Sequence, residues 1–217
     1  MPKQEQHATR DRLIEAAGKL FARYGYQRTQ IREICKVANV NIAAVNYHFR
    51  DKAGLYRSVL KFAHECAHDT LENMLEAIPQ SATPDEKLRN FITSFLKRTL
   101  AAGRPAWHGK LVAREMIEPS PALEEFVDAD IAPRFGILCG IIADCLGVAA
   151  SAETVRWHAA SVIAQCLFWE HNRPVIQRLY TDLEYNAEQI DFIADHVATF
   201  CINAMRVARE NRARCES

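Results

Sequence analysis

Residues 64–68 read His64, Glu65, Cys66, Ala67, His68, a spacing that carries zinc metallopeptidase chemistry when it falls on a helix. Histidines four apart share one face and can bind the metal, while the glutamate activates a water. The surroundings do not supply the rest of such a site. No strand pattern accompanies the motif and no downstream pattern marks a third ligand, so no catalytic residue, metal or cofactor is expected. In a chain with eight histidines the string also arises by chance, and a solvent- or interface-facing pair is the plainer reading, with regulatory metal binding at His64 and His68 as the remaining metal role.

The other reactive residues point away from metal and redox work. Seven cysteines, at 35, 66, 139, 145, 166, 201 and 215, are odd in number and contain no CxxC pair, so neither a disulfide framework nor a zinc knuckle is indicated. They fit reduced core residues of a cytoplasmic protein; a redox-sensing thiol would need an electropositive, partly exposed setting. No apolar segment follows the charges of the N-terminus, and the longest apolar stretch, 135–150, is short and interrupted by Asp144, so neither secretion nor membrane spanning is expected. The net charge of zero hides a separation. Residues 1–61 carry twelve Lys or Arg against five Asp or Glu, a net of +7, and the remainder fifteen against twenty-two, a net of −7. A basic head on an acidic body suits a polyanion at one end, since clustered cations displace counterions from phosphates; a solvated basic surface is the alternative.

Apolar residues recur at helical spacing almost throughout and no stretch alternates with period two, so the fold class is all-α, with about nine helices. A first helix is expected over 9–24, with Leu13, Ile14, Ala17, Leu20 and Phe21 inward and Gly25 as its stop. A second begins after Thr29 and ends near Ala38, a third runs from Asn41 to about Phe49, and a long fourth over about 51–78, closed by Pro79. Thr83-Pro84-Asp85-Glu86 is a capping box that opens a fifth, which Gly103 and Pro105 break. A sixth holds Trp107, Leu111, Val112 and Met116. Ser120-Pro121 opens a seventh that reaches Leu146 with a bend at Pro133. Ser151 is expected to cap an eighth to about Glu170, and Asn186 a ninth to about Arg209.

Between Arg28 and Phe49 the residues specify helix, tight turn, helix. Thr29 can cap the first helix and Ile31, Ile34 and Cys35 face inward. Asn39 is the most tolerant non-glycine residue for a left-handed turn position, Val40 returns to the core, and Asn41 caps the next helix, on which Val45 and Phe49 pack inward. This is a helix-turn-helix whose second helix is sized for a major groove. The stretch from Thr9 to Leu60 resembles the DNA-binding domain of the TetR family nearly end to end, and the C-terminal part resembles the YbiH (CecR) subgroup through AREMIEPSPAL at 113–123 and HNRPVIQRL at 171–179. The resemblance implies a DNA-binding domain over 1–52 and an effector-binding and dimerisation domain over 53–217. It further implies a homodimer on a pseudo-palindromic double-stranded operator, released when a small-molecule effector binds. A DNA-binding dimer without a ligand is the alternative within this class.

By the same resemblance Ile42, Ala43, Ala44 and Asn46 lie along base edges, and Thr29, Tyr47, His48 and Lys52 meet phosphates, with Gln30, Arg32 and Asn41 completing the candidate face. The chemistry agrees. Ala43 and Ala44 allow close approach to thymine methyls, Asn46 can form two hydrogen bonds to adenine, and Tyr47 and Lys52 offer donors to phosphate oxygens. Two residues depart from the family pattern: glycine is usual where Asn39 stands and tyrosine where Asn46 stands, which leaves the operator sequence unreadable by analogy. Ile42 shares a face with Val45, and both Ile42 and His48 stay open between groove and core.

From Val155 to Trp169 only Arg156, His158, Ser161 and Gln165 are polar, so this helix must be buried on two sides. The last helix adds Ile190, Ile193, Val197, Phe200 and Cys201. Pairing both with their symmetry mates would form a four-helix interface; burial in one larger core is the alternative. For an effector pocket, mostly apolar with a few polar groups, the candidates are Trp107, His108, Arg114, Phe168, Trp169 and His171, each of which is equally at home in a core or interface.

Overall fold

Leu13, Ile14, Ala17 and Phe21 recur every three or four residues and are all buried, which gives α1 (Lys3–Arg28) one continuous inner face. The computed structural model describes residues 3–64, 81–100 and 105–215, and among these are eleven α-helices, one π-helical turn and no strand. The first helix begins before Thr9 because Lys3 to Gln6 are good helix formers, and the Thr9 hydroxyl bonds back to the Glu5 carbonyl at 2.9 Å instead of capping. Gly25, at φ 79°, ψ 168°, breaks its regularity, and helical turns resume to Arg28. Then come α2 (Ile31–Ala38), α3 (Ile42–Phe49) and α4 (Lys52–His64). The cap of α2 is Gln30, not Thr29. Thr29 is fully buried and its hydroxyl donates to the Gly25 carbonyl at 2.8 Å, binding the end of α1 to its own kink.

The remaining elements are α5 (Pro84–Leu100), α6 (Trp107–Ile117), α7 (Leu123–Phe126), the π-helical turn Val127–Ile131, α8 (Ala132–Leu146), α9 (Glu153–His171), α10 (Arg173–Leu179) and α11 (Ala187–Cys215). The capping box forms as expected: Glu86 accepts the Thr83 N–H at 2.7 Å and its own N–H reaches the Thr83 hydroxyl at 3.3 Å. Asn186 caps α11 through the Gln189 N–H at 2.9 Å. Two expectations change. Ser151 does not cap α9; Ala152 is the cap residue and offers no side-chain bond. The single helix expected up to Leu146 is three pieces, and the irregularity precedes Pro133. Pro133 has no N–H to return to the Ala129 carbonyl and its ring crowds that oxygen, and the widened turn Val127–Ile131 lies immediately upstream. Residues 65–78 of the expected long helix, and the Gly103 break, lie outside the described residues.

The helices divide into two compact units. The first contains α1–α4, α6, α7 and the π-helical turn. Its core joins Leu13, Phe21, Ile34, Val45, Phe49 and Leu60 to Trp107, Leu111 and Phe126, so α6 and α7 pack with the helix-turn-helix. Trp107 lies against Gly18, where an added Cβ would meet its ring at 2.3 Å, and its indole N–H donates to Glu15 at 3.1 Å. The second unit contains α5 and α8–α11. Its core gathers Leu88, Ile92, Leu96, Ile142, Val155, Val162 and Val197, each worth about 1.5–3 kcal/mol of transfer free energy. Here α5 runs antiparallel to α11, with ion pairs Lys97–Asp191 at 2.6 Å, Arg89–Asp195, and Arg206–Asp85 at 3.5 Å. These pairs are largely exposed and align the helices more than they stabilise them. No helix among the described residues is long and apolar enough to cross a membrane.

Candidate nucleic-acid interface

The orientation of α3 is set from both ends. Asn39 adopts φ 53°, ψ 53°, and the N–H groups of Asn39 and Val40 turn back to the carbonyls of Lys36 at 3.3 Å and Cys35 at 3.0 Å, closing α2. Asn41 then accepts the Ala43 N–H at 2.9 Å and starts α3. At the far end Asp51 accepts the Gly54 N–H at 2.7 Å, and α4 passes so close that a Cβ on Gly54 would stand 2.0 Å from the Phe49 carbonyl oxygen. Val45 and Phe49 are buried, and the Arg10 guanidinium lies 5.6 Å over the Phe49 ring.

With those two anchors inward, Ile42, Ala43, Asn46 and Tyr47 face solvent on α3, Tyr47 at 71% exposure. Ile42 is 46% exposed, which resolves its open reading in favour of the outer face. Ala44 is half-buried, and so is His48, whose ring meets those of Tyr47 at 4.9 Å and Phe49 at 6.0 Å. Gln30, Arg32 and Asn41 are exposed beside this face. Thr29 leaves it: its side chain is spent inside the unit. Lys52 is half-buried, its ammonium 4.5 Å over the Tyr26 ring and donating to the Gln27 carbonyl at 3.4 Å, so it fastens the start of α4 to the end of α1; burial lowers its pKa.

Beneath this surface Phe21, Tyr26 and Tyr56 pack ring to ring, with Tyr56 edge-on to Phe21 at 4.7 Å and 4.9 Å from Tyr26. The carboxylate of Glu115, within AREMIEPSPAL, is fully buried and accepts hydrogen bonds from the Tyr56 hydroxyl at 2.6 Å and from the Ser120 N–H and hydroxyl at 3.0 and 2.9 Å. Sequence reasoning did not single out Glu115; a lone acid on the inner face of an otherwise apolar helical pattern was its signal. It also passed over Arg50, an exposed cation directly after α3.

The six effector-pocket candidates do not gather within either unit. Trp107, His108 and Arg114 belong to the first, where Trp107 and His108 are buried with ring centroids 4.2 Å apart and Arg114 pairs with Glu118 at 2.7 Å. Phe168, Trp169 and His171 belong to the second, where Phe168 and His171 are exposed and Trp169 packs against the core. A cleft of about 260 Å³ in the second unit is lined by other residues, among them Pro84, Cys145, Met205 and Arg209. His64 lies at the end of α4, its ring edge-on to Phe126 at 5.3 Å, and Glu65, Cys66, Ala67 and His68 lie outside the described residues. Among the described residues no three His, Cys, Asp or Glu side chains are grouped as a metal site would need.

Residues 84–205 match the family model for the C-terminal domain of the HTH-type transcriptional dual regulator CecR, and residues 13–59 match that of the bacterial regulatory proteins of the tetR family. The chain is 35% identical over 82 residues to the probable HTH-type transcriptional regulator YttP of Bacillus subtilis, covering 38% of this chain and 40% of that one. It is 37% identical over 75 residues to the HTH-type transcriptional regulator TtgR of Pseudomonas putida, covering 35% of each. The matched stretch is thus less than half of either relative. Among solved structures it resembles HlyIIR, a hemolysin II transcriptional regulator, with TM-score 0.58 and 26% identity over 88% of this chain and 97% of that one. It shares the fold of the transcriptional regulator FadR from Bacillus subtilis, solved with stearoyl-CoA, with TM-score 0.64 and 17% identity over 88% of this chain and 97% of that one.

Proposed function

Since this chain belongs to the TetR family of bacterial regulatory proteins and carries a C-terminal domain of the CecR type, we propose that it is a cytoplasmic transcriptional regulator, most simply a repressor. In this reading it binds a pseudo-palindromic operator as a homodimer and leaves DNA when a small-molecule effector binds. The observation that carries the DNA half is the solvent-facing row Ile42, Ala43, Asn46 and Tyr47 on a helix locked by Val45 and Phe49. Asn46 supplies base reading, Tyr47 supplies a phosphate donor, and the small Ala43 lets α3 sink into the groove. No Arg or Lys lies between Asn41 and Phe49, so the commonest guanine readers are missing from α3 and DNA shape carries part of the specificity.

Support for the homodimer comes from two apolar stripes that stand exposed among the described residues of the second unit. On α9, Trp157 and Phe168 are 66% and 51% exposed and flank the small exposed residues Ala160, Ser161 and Ala164, on the side opposite the buried Val155, Ala159, Val162 and Cys166. On α11, Phe192, Phe200 and Val207 share one face, distinct from both the core face and the face that pairs with α5. Apolar stripes of this kind on adjacent helices suit a four-helix contact with a second copy. Effector control requires only that the ligand bind the DNA-incompetent state more tightly than the DNA-bound one. No observation favours the peptidase reading of residues 64–68.

The deciding experiment is to select duplexes from a random-sequence pool with the wild-type protein and titrate Asn46→Ala and Tyr47→Phe against selected and scrambled DNA at several salt concentrations. Asn46→Ala should cost about 1–3 kcal/mol per half-site on the selected duplex and little on the scrambled one. Tyr47→Phe should weaken both alike. Failure to enrich any sequence would defeat the operator reading.

A further inference from the structure

Arg50 holds a backbone conformation that residues with a Cβ avoid. Its φ of 72° with ψ of −54° lies outside even the left-handed well that Asn39 occupies at φ 53°, ψ 53°. The α3–α4 corner needs that conformation: the Arg50 N–H ends α3 by donating to the Asn46 carbonyl at 3.1 Å, and Gly54 packs directly on the Phe49 carbonyl. Glycine would adopt it without strain. An arginine there is a cost to the fold, and its side chain does not return that cost inside the molecule. It is exposed, and among the described residues no ion pair or side-chain hydrogen bond holds it. It lines a cleft of about 420 Å³ with His48, Arg57 and Lys61, in which Arg57 is already paired with Glu125 at 3.3 Å.

Length decides what lies beside Arg50. Eight helical residues span about 12 Å, which is about the width of a B-DNA major groove, so a residue immediately beyond α3 stands at the groove rim, where the phosphates are. We propose that Arg50 is a DNA-backbone contact, its guanidinium taking phosphate oxygens at the edge of the groove that α3 occupies, and that the strained backbone beneath it is retained for this contact. This rests on the reading of α3 as the recognition helix. A cation at a helix C-terminus also suits the helix dipole. That role would be met inside the free protein and would leave DNA affinity unchanged.

The test uses full-length wild type, Arg50→Ala, Arg50→Lys and Arg50→Gly, a labelled mixed-sequence duplex of about three helical turns, several salt concentrations, and thermal unfolding. Arg50→Ala should bind roughly tenfold more weakly, with the log–log salt slope reduced by about one unit per head, while Arg50→Lys keeps the slope. Arg50→Gly should bind as weakly as Arg50→Ala yet unfold about 2–4 °C higher than it, because only glycine relieves the strain. Wild-type affinity and slope in Arg50→Ala would overturn the contact, and a glycine variant no more stable than the alanine one would overturn the strain. A wild-type protein that bound no duplex even at low salt would instead bring down the DNA-binding reading, and this inference with it.

Discussion

Tyr56 donates its phenolic hydrogen to Glu115 at 2.6 Å, and both side chains are closed off from water. The bond ties α4, which follows the helix-turn-helix directly, to α6. Tyr56→Phe removes one of three donors to a buried carboxylate and should cost about 1–3 kcal/mol. Glu115→Ala leaves the phenol and the Ser120 donors without their acceptor and should cost at least as much. In a double-mutant cycle the pair should lose clearly less than the sum of the singles; strict additivity in urea unfolding would contradict the coupling. Burial first, and the bond to Glu115 second, push the Tyr56 phenol far up. Its contribution is therefore fully present below about pH 10, where the unfolded phenol titrates, and declines above it by up to about 1.4 kcal/mol per pH unit. Tyr56→Phe should flatten that part of the alkaline limb.

In the second unit the thiols give a different alkaline signature. Burial raises Cys166 from 9.0 to about 12, and Cys145 and Cys201 to about 11. Below about pH 9 these groups are protonated both folded and unfolded. Above it the unfolded chain ionises first, so stability falls through the pH 9–12 window, each group adding up to about 1.4 kcal/mol per pH unit. Denaturation midpoints between pH 8 and 11 should decline less steeply in Cys166→Ala. The same burial should leave these thiols unreactive toward a maleimide in the native protein at pH 8; rapid native labelling of Cys166 would refute the placement.

Gly54→Ala should damage the first unit far more than an ordinary helical Gly→Ala change, which usually stabilises a helix. Its Cβ would meet the Phe49 carbonyl oxygen at 2.0 Å, backbone against side chain with no flexible group to yield. A loss of about 3 kcal/mol or more is expected, with DNA binding falling in step as the α3–α4 corner opens. Calorimetry showing unchanged stability would exclude the tight corner.

Phe200→Glu and Val162→Glu should separate interface from core. Phe200 is 56% exposed and Val162 only 1%. A charge at 200 should yield a folded monomer by light scattering with near-native circular dichroism, whereas a charge at 162 should unfold the second unit, because a carboxylate cannot be accommodated in that apolar site. A stable Phe200→Glu dimer would move the interface elsewhere.

Much of the helix-turn-helix was legible in the residues alone because its signals are local. Helical spacing placed Val45 and Phe49 inward, Asn39 marked a left-handed turn and Asn41 a cap, and each needs only neighbours a few positions away. Thr83 to Glu86 and Asn186 were readable for the same reason. Tertiary structure decided what depends on partners distant in sequence. Thr29 reads as a cap and a phosphate donor until the kink at Gly25 brings a carbonyl within 2.8 Å of its hydroxyl. Lys52 reads as a free cation until Tyr26 comes beneath it, and Glu115 becomes a buried acceptor only when Tyr56, 59 positions earlier, reaches it. Trp107 and Phe168 looked alike as aromatic pocket candidates, yet one fills the space above Gly18 and the other is left facing solvent. Periodicity states which residues turn inward, and only long-range packing states what they meet there.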